Sequence, residues 1–153
     1  MHFARVAIIA ASLIFPGSTL AREKPVYPAY SIDKPTADHY KWGDSNDGWF
    51  MVQQSDMSVI QERMEPGTAE INHKHRKARQ FFYVLSGELT MNVEGEDTVL
   101  KVGQGMEIPP GRQHQARNLS MQAAEFLVMS SPPSHTDSVE IKPSGAIQQA
   151  SAR

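Results

Sequence analysis

The sequence predicts an all-β domain of sandwich or barrel type, and three observations lead there. Short apolar or alternating runs recur along the chain. Gly, Pro and Asp cluster between them as turns, and no stretch carries a convincing helical period. With 153 residues and 40% hydrophobic content, the chain suits one compact domain.

The elements follow in order. Residues 1–21 read as an export signal. "MHFAR" is a short basic start, "VAIIAASLIF" is an apolar run too short to span a bilayer, and "PGSTLA" supplies a break and small residues before cleavage after Ala21. The protein is thus expected to be exported, periplasmic or secreted, with no membrane contact after cleavage. Residues 22–48, polar and interrupted by Pro25, Pro28 and Pro35, read as an extended N-terminal arm with little regular structure. The barrel proper is expected over residues 49–133. "WFMVQQ" (49–54) is strand-like. "MSVIQERM" (57–64) alternates, with Val59, Gln61 and Arg63 on one side and Ser58, Ile60, Glu62 and Met64 on the other. "QFFYVL" (80–85), "ELTMNV" (88–93), "TVLKV" (98–102) and "AAEFLVMS" (123–130) complete the clear strands. The tail, residues 134–153, has no apolar periodicity and reads as mobile.

Composition removes several function classes. Fifteen basic and seventeen acidic residues give a formal net charge of −2 without a basic stripe, so nucleic acid is not an expected partner. There is no cysteine, which excludes disulfides, thiolate catalysis and zinc-thiolate sites.

Two stretches carry chemistry. The first runs Gly67, five residues, His73, Lys74, His75, four residues, Gln80, six residues, Gly87. The second runs Gly103, five residues, Pro109, Pro110, Gly111, two residues, His114, three residues, Asn118. Residues i and i+2 of a strand share a face, so His73 and His75 can present their imidazoles to one point. Gln80 can reach that point from the next strand, and the Pro-Pro-Gly turn can aim His114 at it. Alone, two histidines in a basic "HKHRKAR" run would be a solvated patch. With the second stretch they form a candidate metal site.

Both stretches resemble the two signature motifs of the cupin superfamily, over about residues 50–131. The single departure is Gln80, which stands where the family usually has glutamate. The resemblance implies a single cupin (jelly-roll-like) β-barrel and one divalent transition metal per subunit, Fe, Mn, Ni, Cu or Zn, held by His73, His75, Gln80 and His114. It marks Gly67, Gly87, Gly103, Pro109, Gly111 and Asn118 as structural turn positions, and it implies a homodimer. If Gln80 faces inward, Phe82 and Val84 line the pocket, while Phe81, Tyr83 and Leu85 face outward and need the arm or a second subunit as cover. Arg63 is a further candidate for the pocket. His39 and His135 fall outside any pattern and are expected at the surface.

Glutamine is neutral and does not titrate near pH 7. A cation held by these four residues would keep its full charge relative to its protein ligands, which favours anionic oxygen ligands and Lewis-acid chemistry. Three functions are therefore open: a Lewis-acid isomerase or lyase acting on an oxygen-rich small molecule such as a sugar acid, an Fe, Cu or Ni dioxygenase, and a non-catalytic metal-mediated binding module. Some cupins that linearise unsaturated uronates are similar in having a His/His/Gln/His site. They also use an aspartate near the last strand, whereas here "EFLVMSSPP" offers only Glu125.

Overall fold

The structure is a computed structural model and describes residues 29–142. The expected leader, the first part of the expected arm and residues 143–153 lie outside the described residues. Among the described residues there are eleven strands and no helix: β1 (Asp38–Trp42), β2 (Asn46–Gln53), β3 (Ser58–Met64), β4 (His73–His75), β5 (Arg79–Ser86), β6 (Glu88–Val93), β7 (Glu96–Lys101), β8 (Gly105–Ile108), β9 (His114–Arg117), β10 (Ala124–Ser131) and β11 (Ser138–Glu140). They form two antiparallel sheets, one ordered β1-β2-β3-β10-β5-β8 and the other β11-β4-β9-β6-β7. The all-β, jelly-roll-like barrel expected from the sequence is the observed architecture.

Side-chain alternation makes the core. Along β3, Ser58, Ile60, Glu62 and Met64 point in; along β5, Gln80, Phe82 and Val84 do; along β10, Ala124, Phe126, Val128 and Ser130 do. They meet Leu89, Met91 and Ala116 of the second sheet. Phe82 and Phe126 pack with tilted rings, centroids 6.2 Å apart, and are buried. Each such side chain contributes roughly 1.5–3 kcal/mol by leaving water.

Register places the future site. Ser130 pairs with Ser58 on one side and Gln80 on the other, and Gln80 pairs with Ile108, so these four form one rung of the first sheet. On the second sheet His73 pairs directly with His114.

The turn glycines Gly67, Gly87, Gly103 and Gly111 all adopt positive φ. At Gly87 the requirement is double. Its φ is +72°, and a Cβ there would stand 2.6 Å from the Ala123 carbonyl oxygen. Asn118 is fully buried. Its side-chain amide donates to the Met64 and Gln122 carbonyls, and its Oδ1 accepts from the Ser120 backbone N–H, which ties the loop after β9 to the end of β3.

Two expectations about the ends need correction. The arm is not devoid of regular structure, because β1 and the start of β2 lie within residues 38–48 and pair as a hairpin. Its Asp, Gly and Ser residues form the hairpin turn rather than a linker. The tail does not begin at 134 either. β11 pairs with β4 at Ser138–His75 and Glu140–His73, so residues 134–142 belong to the barrel. Three residues are too few to show periodicity in sequence.

Candidate metal centre

β4 is three residues long, and alternation turns both His73 and His75 to the interior. His114 opens β9. The turn before it is closed by Arg112 N–H donating to the Pro109 carbonyl, 3.3 Å, and anchored by Gly111 N–H donating to the His75 carbonyl, 2.7 Å. The three imidazoles thus meet with centroids 4.4 to 5.5 Å apart, and one nitrogen from each lies within 4.8 Å of the others.

Backbone carbonyls decide which nitrogens face inward. His73 Nδ1–H donates to the Ile71 carbonyl at 2.7 Å, and His114 Nδ1–H donates to the Arg112 carbonyl at 3.0 Å. A carbonyl only accepts, so in the neutral ring the Nε2 of each carries a lone pair directed into the barrel. The Nε2 atoms of His73 and His75 are 3.1 Å apart. Two nitrogens on one divalent ion, each about 2.0–2.1 Å from it, are separated by roughly 3 Å. His75 Nδ1 is buried without a hydrogen-bond partner among the described residues.

Burial, and next the neighbouring His73, push the His75 pKa down to about 4. His114 is likewise pushed down to about 4, with burial the largest cause and His73 and His75 adding to it. Both rings are therefore neutral at pH 7, the form that ligates metal.

Gln80 completes the set. It is buried, its Nε2 donates to Ser130 Oγ and Ser134 Oγ at 3.3 Å each, and its Oε1 lies 2.8 Å from His114 Nε2. With the serines holding the NH2 end, two lone-pair acceptors face one another across that short distance. Two acceptors in contact repel unless both are directed at a cation. The donor set, three imidazole nitrogens and one amide oxygen with no charge among them, fits a divalent transition ion.

The four residues expected from sequence to hold a metal lie close together, and the expected pocket residues differ in their placement. His73, His75, Gln80 and His114 converge, and Phe82 and Val84 are buried inside, Phe82 with its ring 6.1 Å from His114. Arg63 is not in the pocket. It lies on the outward side of β3 and pairs with Glu65 at 2.8 Å and Glu125 at 3.7 Å. A guanidinium facing the interior would need a buried partner, and the outer face supplies two acids instead. His39 and His135 are at the surface, as expected.

Sequence reading passed over three residues. Glu62, between Ile60 and Met64 on the inner side of β3, is 8% exposed and accepts a hydrogen bond from Tyr40 Oη at 2.8 Å. Glu70 accepts from the Ala116 backbone N–H at 3.0 Å. The signal for Glu62 was visible: an acid sharing the side of a strand with isoleucine and methionine. Tyr40 and Glu70 lie in segments without clear alternation. A cavity of about 460 Å³ opens between the edges of the two sheets, with Trp42, Glu70, Ile71 and His73 on its wall. Its size is that of a small-molecule site.

Residues 60–130 match the family model described as Cupin domain. The polyketide synthase CurC of Streptomyces cyaneus is 33% identical over 69 residues, 45% of this chain. The match spans 45% of that relative's length. Among solved structures, KdgF from Halomonas sp. superposes with a TM-score of 0.65 at 18% identity, over 71% of this chain and 98% of that one. The polyketide cyclase RemF from Streptomyces resistomycificus gives 0.67 at 14% identity, over 76% and 88%. At such identities the two structures speak for the fold.

Proposed function

Since residues 60–130 of this chain match the cupin domain, we propose that its histidine cluster holds one divalent transition metal and that the protein is a metal-dependent enzyme acting on an oxygen-rich small molecule. The observation that carries this reading is the uncharged donor set: neutral His75 and His114 and an amide where the family usually has a carboxylate. A bound ion would supply Lewis acidity toward a carboxylate, carbonyl or enediolate oxygen.

The chain's own residues do the rest. Ile71 and Arg112 carbonyls fix the His73 and His114 tautomers, Ser130 and Ser134 fix the Gln80 amide, and Phe82 covers His114 on its apolar side. The cavity at His73 admits a ligand of small-molecule size. The reaction class is isomerisation or elimination, with sugar acids as the first substrate class. CurC adds a second class, polycarbonyl chains, which offer the same oxygen chemistry.

The test compares metals under air and without oxygen. Zinc-loaded protein is expected to turn over a sugar acid or polycarbonyl substrate equally in both. Turnover that requires Fe, Cu or Ni and consumes oxygen in proportion to substrate would make the protein a dioxygenase. Tight binding without turnover on any metal would make it a binding module.

Export and dimerisation belong to the same proposal. The tripartite pattern of residues 1–21 supports cleavage after Ala21, and intact mass of exported protein checks it. The outward Phe81, Tyr83 and Leu85 are each more than a third exposed, a face that a second copy would cover. Light scattering reads the oligomeric state directly.

A further inference from the structure

Glu62 has a place inside the barrel that the metal centre does not explain. It points inward from β3 and is 8% exposed. One carboxyl oxygen, Oε1, accepts the Tyr40 phenol at 2.8 Å. The other, Oε2, is buried with no hydrogen-bond partner among the described residues. A buried polar atom left unpaired costs about 1–3 kcal/mol, more if charged, so an orphan carboxyl oxygen calls for a purpose.

The surroundings are built to hold it there. Tyr40 reaches Glu62 by lying across Gly48, its register partner on β1–β2 and the register partner of Glu62 on β2–β3. A Cβ at Gly48 would stand 2.3 Å from the Tyr40 ring. The glycine is thus what lets the phenol pass over the strand to the acid. At the same rung β10 contributes Phe126, which carries no charge. The titratable groups that act on Glu62 are Tyr40 from β1 and Glu70 from the segment before β4. Glu70 shares the cavity wall with His73.

We propose that Glu62 is a ligand-contacting acid inside the barrel, its Oε2 offered to a hydroxyl or carbonyl oxygen of the oxygen-rich ligand. The inference deepens the reading of the site given above and rests on it. Burial, then the Glu70 carboxylate, raise the Glu62 pKa to about 8 against the pull of the Tyr40 hydrogen bond. The carboxyl therefore carries its proton at neutral pH and can donate it. In the transfer the Glu62 O–H bond breaks, the proton joins the ligand oxygen, and the electron pair stays on a carboxylate that keeps the Tyr40 hydrogen bond. A hydroxyl proton of the same ligand then restores the acid. The net change is a proton moved between two ligand oxygens, and no outside acid, base or oxidant is consumed.

Two measurements on the zinc-loaded full chain test this. Infrared spectra of wild type and Glu62→Gln report the C=O stretch of a protonated carboxyl. The expected result is a band present near pH 6, lost as pH passes about 8, and weaker in Glu62→Gln, where buried Glu70 is the remaining raised carboxyl, with one zinc per chain in both proteins. No such band, or a band of undiminished strength in Glu62→Gln, would overturn the proposal. A high-resolution crystal structure then reads what faces Oε2. An ordered water or ligand oxygen within hydrogen-bond distance supports the contact, and a protein side chain bonded there overturns it. Because the band does not depend on zinc, a wild type that shows it but binds no zinc would sink the metal reading and leave the state of Glu62 separately measured.

Discussion

Gln80 Oε1 lies 2.8 Å from His114 Nε2, and neither atom carries a hydrogen when His114 Nδ1–H is given to the Arg112 carbonyl. Ser130 and Ser134 hold the other end of the amide and prevent it from turning its NH2 toward the ring. Groups that orient a ligand typically affect metal affinity by about 10–100-fold. Ser130→Ala and Ser134→Ala should each weaken zinc binding within that range, with the double variant no worse than Gln80→Ala. Competition titration against a chelating dye checks it.

The three histidines should matter more than the amide. Removing His75 or His114 deletes a nitrogen that nothing nearby replaces, whereas water can stand in for a neutral amide oxygen. His75→Ala and His114→Ala are expected to lose stoichiometric metal while keeping the far-ultraviolet spectrum of a β-barrel. Gln80→Ala should retain metal with weaker affinity. Metal analysis after dialysis separates the two outcomes.

Stability of the metal-free chain should depend on pH in two opposed ways. His75 and His114 titrate near 4 when folded, against 6.5 for an ordinary imidazole. Between those values the unfolded chain binds more protons, so stability rises with pH and is fully gained above about 6.5. Glu62 runs the other way. Its folded pKa of about 8 lies above the ordinary 4.5, so the folded chain binds more protons in that window and stability falls as pH rises through it. Glu70, also raised by burial, adds to the fall. Scanning calorimetry should show Tm dropping from about pH 6.5 to about pH 8, and less steeply in Glu62→Gln.

Gly87 and Gly111 offer a paired test of the turns. Both have positive φ, but a Cβ at Gly111 meets nothing within 4 Å, whereas at Gly87 it meets the Ala123 carbonyl. Gly111→Ala should cost about 1–2 kcal/mol from left-handed backbone alone. Gly87→Ala should cost clearly more, because backbone must shift as well. Denaturant midpoints of the two variants give the comparison.

How much of this was legible depends on the residue. The alternation of "QFFYVL" fixes which side of β5 is inside, and Gln80, Phe82 and Val84 are buried as that parity requires. The two motifs bring His73, His75 and His114 together because i, i+2 spacing and a Pro-Pro-Gly turn are local rules. Arg63 failed for the opposite reason. Parity divides β3 into two sides without saying which is inner, and the apolar Ile60 and Met64 took Glu62 in with them. β1 and β11 are short edge strands whose pairing with β2 and β4 is decided by tertiary contact, which alternation over three to five residues does not reveal. Ser130 and Ser134 are ordinary polar residues in sequence, and only the fold places them behind Gln80.

The central claim is that His73, His75, His114 and Gln80 hold one metal ion. Anomalous diffraction at the zinc edge, from crystals of the zinc-loaded full chain, tests it most directly. One peak per chain is expected, bonded to Nε2 of the three histidines and to Gln80 Oε1 at roughly 2.0–2.2 Å. No peak within the barrel, or a zinc ion held there by other side chains, would contradict it.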